Sequence, residues 1–160
     1  MQRVTVLCVG KLKEKFYIDA AAEYVKRLQR HCKLELIELP EQRLPDDPSP
    51  AEIQKALRAE GDAIREKLPK GGAVIALCIE GKQISSEELA QFLADRANSG
   101  AGDVAFVIGS SHGLSDEVKR AAALRFSMGR ITMPHQLARL VLTEQIYRAC
   151  TINAGMKYHK

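Results

Sequence analysis

Four short runs of strand-like sequence, separated by helical patterns, constrain this chain more than any other feature. Residues 72–79 and 103–108 are apolar almost throughout, which is typical of strands buried on both faces of a parallel sheet. Residues 3–9 and 33–39 also have strand patterns. Strands that alternate with helices form parallel sheets covered by those helices. The pattern therefore predicts an α/β fold with a mostly parallel sheet flanked by helices.

Helical patterns fill the intervals between the strands. They predict helices over residues 14–31, 51–68, 86–97 and 136–154, and Ser85 with Glu88 forms a capping-box pattern at the start of the third helix. Four prolines fall within residues 40–50 and predict a loop, because proline has a fixed φ and no amide donor. The chain has 160 residues, so we expect a single domain over residues 1–160.

The last predicted helix is apolar around most of its circumference, with a narrow polar strip near Arg139 and Thr143. Such a helix must be covered on nearly every side. The sheet can cover one side and a second copy of the chain the other, so we expect a homodimer; a helix enclosed within one subunit is the alternative. Glu144 and Arg148 are four residues apart and can form an ion pair on this helix.

Composition and cysteine spacing exclude several classes of protein. The longest uninterrupted apolar run, residues 73–79, is far shorter than the roughly 18 residues of a membrane-spanning helix. The first residues alternate into a strand without a signal-peptide pattern, so we expect a cytoplasmic protein. Cys8, Cys32, Cys78 and Cys150 are scattered and never form CxxC. We therefore expect buried or half-buried free thiols, with neither a metal site nor a disulfide framework.

Three loops follow predicted strands and are candidates for a ligand site, because the carboxyl ends of parallel strands meet at one edge of a sheet. They cover residues 77–82, 108–117 and 126–135. None of them matches a P-loop or a dinucleotide-binding glycine motif. The sequence Gly-Ser-Ser-His-Gly at 109–113 fits the nucleophile pattern of serine hydrolases. Such enzymes usually need a larger sheet and a suitably placed acid and histidine, which disfavours a hydrolase.

Taken together, the loops and the last helix resemble the RlmH (YbeA-type) family of SPOUT methyltransferases over essentially the whole chain. The resemblance depends on five segments: VGKLKEK at 9–15, FVIG at 106–109 with Gly113 and Leu114, ITMPHQ at 131–136, EQIYRA at 144–149 and YHK at 158–160. It implies a SPOUT-type fold with a C-terminal trefoil knot, a homodimer, and S-adenosylmethionine as cofactor. The implied reaction is methylation of N3 of a pseudouridine in large-subunit (23S) ribosomal RNA.

The resemblance also implies which residues form the site. The implied cofactor contacts are Leu77, Gly109, Met128, Gly129, Arg130, Ile131, Thr132 and Met133. The chain departs from the family pattern at Ser110, where a second glycine is common, and at Gly129, where serine is usual. The candidates for catalysis are His135, Arg139, Arg148, Tyr158 and His159, because loss of the imide proton leaves a negative charge that an arginine or a protonated histidine can stabilise.

The sequence leaves the identity of the catalytic base open, and also whether the tail acts in its own subunit or in the partner. Candidate contacts to RNA phosphates are Arg125, Arg130, Arg139, Lys157 and Lys160. The net charge of +4 is too small for strong binding of free RNA, so we expect an assembled ribosome or large subunit as substrate. Two alternatives are a SPOUT enzyme for another RNA, such as transfer RNA, and a noncatalytic ribosome-binding module.

Overall fold

The computed structural model describes residues 1–100 and 102–160. In that part of the chain the strands are β1 (Arg3–Val9), β2 (Lys33–Leu39), β3 (Ala73–Gln83), β4 (Val104–Ile108) and β5 (Leu124–Ser127). The helices are α1 (Lys15–Leu28), α2 (Pro50–Lys67), α3 (Ser86–Asn98), α4 (Asp116–Ala121) and α5 (His135–Asn153). The strands form one sheet in the order β2-β1-β4-β3-β5, and every pair of neighbours is parallel. The predicted α/β class is confirmed.

The strand predictions differ in accuracy for a physical reason. β1 and β2 begin and end where the patterns place them. β3 extends to Gln83 instead of ending at residue 79, because it bulges after Leu77 and pairs with β5 again at Lys82. β5 was not predicted as a strand. Its four residues are too few to show a period.

The sheet is covered on both faces. α1, α3 and α5 pack on one face, where Leu28, Leu93 and Ile146 join the alternate side chains of the central strands in one apolar core. A second core on the opposite face contains Ile64 of α2 and Val118 of α4. Each fully buried aliphatic side chain contributes about 1.5–3 kcal/mol through its removal from water. Burial on both faces explains the continuous apolar runs.

α5 lies between α1 and α3 and does not present its polar strip to solvent. Arg139 and Thr143 are both buried, and the Thr143 hydroxyl donates to the carbonyl oxygen of Arg139 at 2.7 Å. Leu137, Leu140 and Val141 are only half-buried. The polar strip of α5 is therefore buried, and part of its apolar surface is left uncovered at these three residues.

The local signals are largely confirmed. Ser85 and Glu88 form the predicted capping box of α3, and residues 40–49 contain no helix or strand.

The four cysteines are free; Cys8 and Cys32 are buried, and the other two are half-buried. Within residues 1–100 and 102–160, no helix is long and apolar enough to cross a bilayer. The same residues contain no group of three or more His, Cys, Asp or Glu placed to hold a metal ion.

Candidate active site

A pocket of about 330 Å³ opens at the carboxyl edge of the sheet, where the three predicted loops converge. Its volume lies within the usual range for small-molecule sites. Seven of the eight predicted cofactor residues line it: Leu77, Gly109, Met128, Gly129, Ile131, Thr132 and Met133. Arg130, the eighth, is not part of the lining. The lining combines apolar side chains with three glycines, which suits a ligand with a flat ring and polar edges.

Glycine at position 109 makes the turn after β4 possible. A Cβ on Gly109 would lie 2.2 Å from the carbonyl oxygen of Gly113, closer than two such atoms can approach. The loop closes on itself because the N–H of Gly113 donates to the carbonyl oxygen of Ser110 at 2.9 Å. Ser110 does not have a positive φ, so the serine fits where a second glycine is common in the family.

Gly129, the second departure from the family pattern, has a φ of 129°. A serine at this position would be strained, because side chains with a Cβ rarely adopt such a φ. The hydroxyl of Ser127 donates to the carbonyl oxygen of Gly129 at 3.1 Å and accepts from its N–H at 3.2 Å. Ser127 therefore holds the start of the loop in the absence of a side chain at position 129.

The bulge of β3 forms one rim of the pocket through Cys78, Ile79 and Glu80. Glu80 accepts from Nζ of Lys119 at 2.6 Å, and this hydrogen bond is the main reason why the pKa of the Glu80 carboxyl is lowered. Burial raises the pKa of the Cys78 thiol. Sequence reasoning singled out the loop but did not identify these side chains, or Lys119, as part of the lining.

His135 and Arg139 begin α5, but only His135 lines the pocket. A Cβ on Gly10 would lie 3.2 Å from Nε2 of His135. The glycine after β1 therefore leaves room for this imidazole. Arg139 is buried, and its Nη1 donates to Glu38 at 2.6 Å. Its predicted contact with RNA phosphate is therefore wrong. Its catalytic role stays a prediction.

Arg148, Tyr158 and His159 meet at the other end of α5 in a network that we call the tail cluster, together with Glu87 and Glu144. The predicted ion pair is confirmed, because Arg148 Nη2 donates to Glu144 at 2.6 Å. The hydroxyl of Tyr158 donates to the same carboxylate at 3.0 Å. The Arg148 guanidinium also lies over the Tyr158 ring, 4.8 Å from its centroid.

His159 contacts two other members of the tail cluster. His159 Nδ1 lies 3.4 Å from Arg148 Nη1, and His159 Nε2 lies 2.7 Å from Glu87. A neutral imidazole with its proton on Nε2 satisfies both contacts. Burial, and then the hydrogen bond to Glu144, raise the pKa of Tyr158 to about 12. The hydrogen bond to Glu144 also raises the pKa of Arg148.

The tail cluster and the pocket do not meet within one chain. His135 and Arg148 are thirteen residues apart on α5, which corresponds to roughly 20 Å along the helix axis. Arg148, Tyr158 and His159 are not part of the pocket lining. The five predicted catalytic residues therefore lie in three places. His135 lines the pocket, Arg139 is paired with Glu38, and the other three belong to the tail cluster.

Comparisons with known proteins decide the family. The family model described as "Predicted SPOUT methyltransferase" matches residues 2–159. The chain belongs to the SPOUT methyltransferase family. Ribosomal RNA large subunit methyltransferase H of Streptococcus uberis is 48% identical over 158 residues, which cover 99% of both chains. The corresponding protein of Lactobacillus delbrueckii subsp. bulgaricus is 47% identical over 157 residues, covering 98% of this chain and 99% of that one. The resemblance to the RlmH family is confirmed.

Two solved structures of methyltransferases have the same fold at much lower identity. A probable methyltransferase from Bordetella pertussis has a TM-score of 0.60 at 19% identity, and the match covers 93% of this chain and 96% of that one. A tRNA (m1G37) methyltransferase from Aquifex aeolicus has a TM-score of 0.55 at 16% identity, covering 92% of this chain and 69% of that one. The SPOUT architecture is therefore supported by structure as well as by sequence.

Proposed function

We propose that this chain is a methyltransferase that moves a methyl group from S-adenosylmethionine to N3 of a pseudouridine in large-subunit (23S) ribosomal RNA. Its substrate is the assembled ribosome or large subunit, and it acts as a single domain in the cytoplasm, where ribosomes are. The observation that carries the proposal is the pocket, which gathers seven of the eight predicted cofactor residues. The names of the relatives at 48% and 47% identity support ribosomal RNA as the substrate.

The pocket residues fit S-adenosylmethionine. Leu77, Met128 and Ile131 provide an apolar surface for an adenine ring, and the glycine at 109 lets the backbone approach a ligand closely. The backbone of residues 128–133 offers N–H and C=O groups to the polar edges of the ring. When bound, the cofactor supplies an activated methyl group on a sulfonium. The protein must then align the acceptor nitrogen and manage its proton.

The tail cluster has the groups that this proton transfer needs. The imidazole of His159 belongs to the side-chain type that most often transfers protons in enzymes. Arg148 carries a fixed positive charge beside it and can stabilise the negative charge left on the imide. Tyr158 stays protonated below about pH 12, so its hydroxyl can donate a hydrogen bond. His135, at the pocket itself, is the alternative base.

The tail cluster lies far from the pocket of its own chain, so we propose that it acts in the pocket of a second copy. Ile18 of α1 and Leu36 of β2 are exposed and line a groove that also contains Arg139 of α5. Leu137, Leu140 and Val141 add half-buried apolar surface on α5. Pairing two copies through this surface covers the apolar side chains and forms a symmetric dimer with two composite sites.

We also propose the trefoil knot of SPOUT proteins for residues 104–160, which return to the edge of β3 through β5.

Two measurements test the proposed function. Mass spectrometry of 23S ribosomal RNA from cells with and without this protein is expected to find one methylated pseudouridine only when the protein is present. Purified protein with S-adenosylmethionine is expected to methylate large subunits or ribosomes, but neither free ribosomal RNA nor transfer RNA. Methylation of transfer RNA alone would favour a different SPOUT enzyme. A failure to bind S-adenosylmethionine in calorimetry would favour a noncatalytic ribosome-binding module.

A further inference from the structure

A buried carboxylate behind the pocket has no part in the chemistry proposed above. Glu60 lies on α2 and is only 5% exposed. Its Oε1 accepts from the Ser110 hydroxyl at 2.9 Å, and its Oε2 accepts from the backbone N–H of Gln42 at 2.9 Å. An ionised carboxylate is costly to bury unless both oxygens are hydrogen-bonded. Both oxygens of Glu60 are, and one of the two donors lines the pocket.

The next residue of α2 holds the far end of the same loop. A Cβ on Gly61 would lie 2.6 Å from Oγ of Ser115, so only glycine lets α2 approach this closely. Ser115 in turn accepts from the N–H of Val118 at 3.3 Å and caps α4. Two consecutive residues of one helix therefore contact both ends of the segment 110–115, which forms one side of the pocket.

The middle of this segment has few other attachments. Ser111, His112 and Gly113 are exposed. The side-chain contact of Ser111, from its hydroxyl to Glu41, is long at 3.4 Å. The shape of the loop therefore depends strongly on its two ends. When a binding-competent shape is only partly populated, the apparent dissociation constant rises in inverse proportion to that population.

We propose that Glu60 is a positioning residue that fastens the loop after β4 in the shape that admits S-adenosylmethionine. The inference builds on the proposed function and assigns a role to a residue that touches neither the ligand nor the reacting atoms. It acts through Ser110. Its other oxygen accepts from the N–H of Gln42, so the proline-rich segment and the pocket loop are both attached to this carboxylate.

The first test replaces Glu60 by glutamine, which keeps the size of the side chain but removes its charge; the amide can still form neutral hydrogen bonds with Gln42 and Ser110. The expected result is a dissociation constant for S-adenosylmethionine about tenfold higher, because neutral hydrogen bonds replace hydrogen bonds to a charged group. The KM for S-adenosylmethionine rises equally, while kcat at saturation stays within about twofold, because bound ligand selects the competent loop. A purely structural role would lower the active fraction and leave KM unchanged.

The matched control is Glu52→Gln, the same substitution at an exposed position of α2 where the carboxylate completes the capping box with Ser49, away from the pocket lining. It is expected to lower the melting temperature without changing the dissociation constant. Hydrogen exchange of the free protein adds a second readout. In Glu60→Gln, the amides of residues 110–114 and 40–43 are expected to exchange faster than in the control. Equal exchange in the two variants would contradict the proposal.

The route through Ser110 has its own test. In a Ser110→Ala background, Glu60→Gln is expected to change the dissociation constant by less than twofold, because the connection is already broken. A full tenfold effect in that background would overturn the role of Ser110. If Glu60→Gln does not fold, Ser110→Ala is tested in its place. It removes the hydrogen bond between Ser110 and Glu60 and is expected to accelerate hydrogen exchange at the amides of residues 110–114. Unchanged exchange would overturn the proposal.

The outcomes separate this inference from the proposed function. If the wild-type protein binds S-adenosylmethionine and Glu60→Gln binds it equally well, the inference fails and the function stands. If the wild-type protein does not bind S-adenosylmethionine, the proposed function fails, whatever the variants do.

Discussion

The two ends of α5 differ sharply in what surrounds them. At its start, His135 lines a pocket that combines apolar side chains and glycines with the Glu80–Lys119 pair at its rim. Near its end, Arg148 joins a network of two carboxylates, a phenol and an imidazole. The first environment suits the binding of a flat ligand, and the second suits the handling of charge and protons.

One rigid element keeps these environments apart. α5 has nineteen residues and contains neither proline nor glycine, so nothing in it favours a sharp kink. The separation of roughly 20 Å between His135 and Arg148 is thus a fixed property of one chain. In our account, the pocket and the tail cluster make independent contributions within one chain and meet only across a dimer. Variants at each end should therefore fail in different ways.

The largest effect on cofactor binding is expected for Gly109→Ala at the pocket. The added Cβ would lie 2.2 Å from the carbonyl oxygen of Gly113, so the loop must shift. Overpacking of this kind costs about 1–3 kcal/mol, and we expect calorimetry to find affinity for S-adenosylmethionine roughly 10- to 100-fold weaker. Gly102→Ala is the control, because a Cβ there meets only an ordinary contact at 3.4 Å. Unchanged affinity in Gly109→Ala would place the ligand elsewhere.

Arg148→Ala in the tail cluster is expected to lower kcat and to leave cofactor binding unchanged, the reverse of Gly109→Ala. Loss of a fixed charge that stabilises the transition state costs roughly 100-fold in kcat. The dissociation constant for S-adenosylmethionine is expected to stay within about twofold, because Arg148 does not line the pocket. Arg65→Ala, which removes an exposed arginine on α2, is the matched control. Weakened cofactor binding in Arg148→Ala would contradict the division between the two ends.

A smaller effect is expected from Tyr158→Phe at alkaline pH. The pKa of Tyr158 is raised to about 12, whereas an unfolded tyrosine ionises near pH 10. Between these values the unfolded chain loses the proton first, so the free energy of unfolding of the wild type falls as pH rises. Urea titrations across pH 9–12 are expected to find a smaller fall in Tyr158→Phe. Tyr17→Phe on α1 provides the matched loss of one phenol, and an equal fall in all three proteins would refute this prediction.

A feature of this structure could be predicted from the sequence when it depends on residues that are close together along the chain. The continuous apolar runs predict β4 and most of β3, and Ser85 with Glu88 predicts the start of α3, because these signals are local. The ion pair of Glu144 with Arg148 is also local, at a spacing of four residues. Residue pairs far apart in sequence leave no such pattern.

The candidate site divides in the same way. The family resemblance predicts seven residues of the pocket lining, but the contacts of His159 with Glu87 and of Ser110 with Glu60 join positions 72 and 50 residues apart. The periodicity of apolar residues in the sequence does not predict contacts between residues so far apart. The burial of Arg139 was missed for the same reason, because its partner Glu38 lies on β2, a distant element.

Mixing two inactive variants tests the central claim most directly. Gly109→Ala has a damaged pocket and an intact tail cluster, and Arg148→Ala has the reverse. Equal amounts of the two, exchanged into mixed dimers, form one intact composite site in each mixed dimer. Methylation of large subunits is then expected to return to about a quarter of the wild-type rate, since half of the dimers are mixed and each has one working site. If mixed dimers form but no activity returns, the pocket of one copy and the tail of the other do not act together.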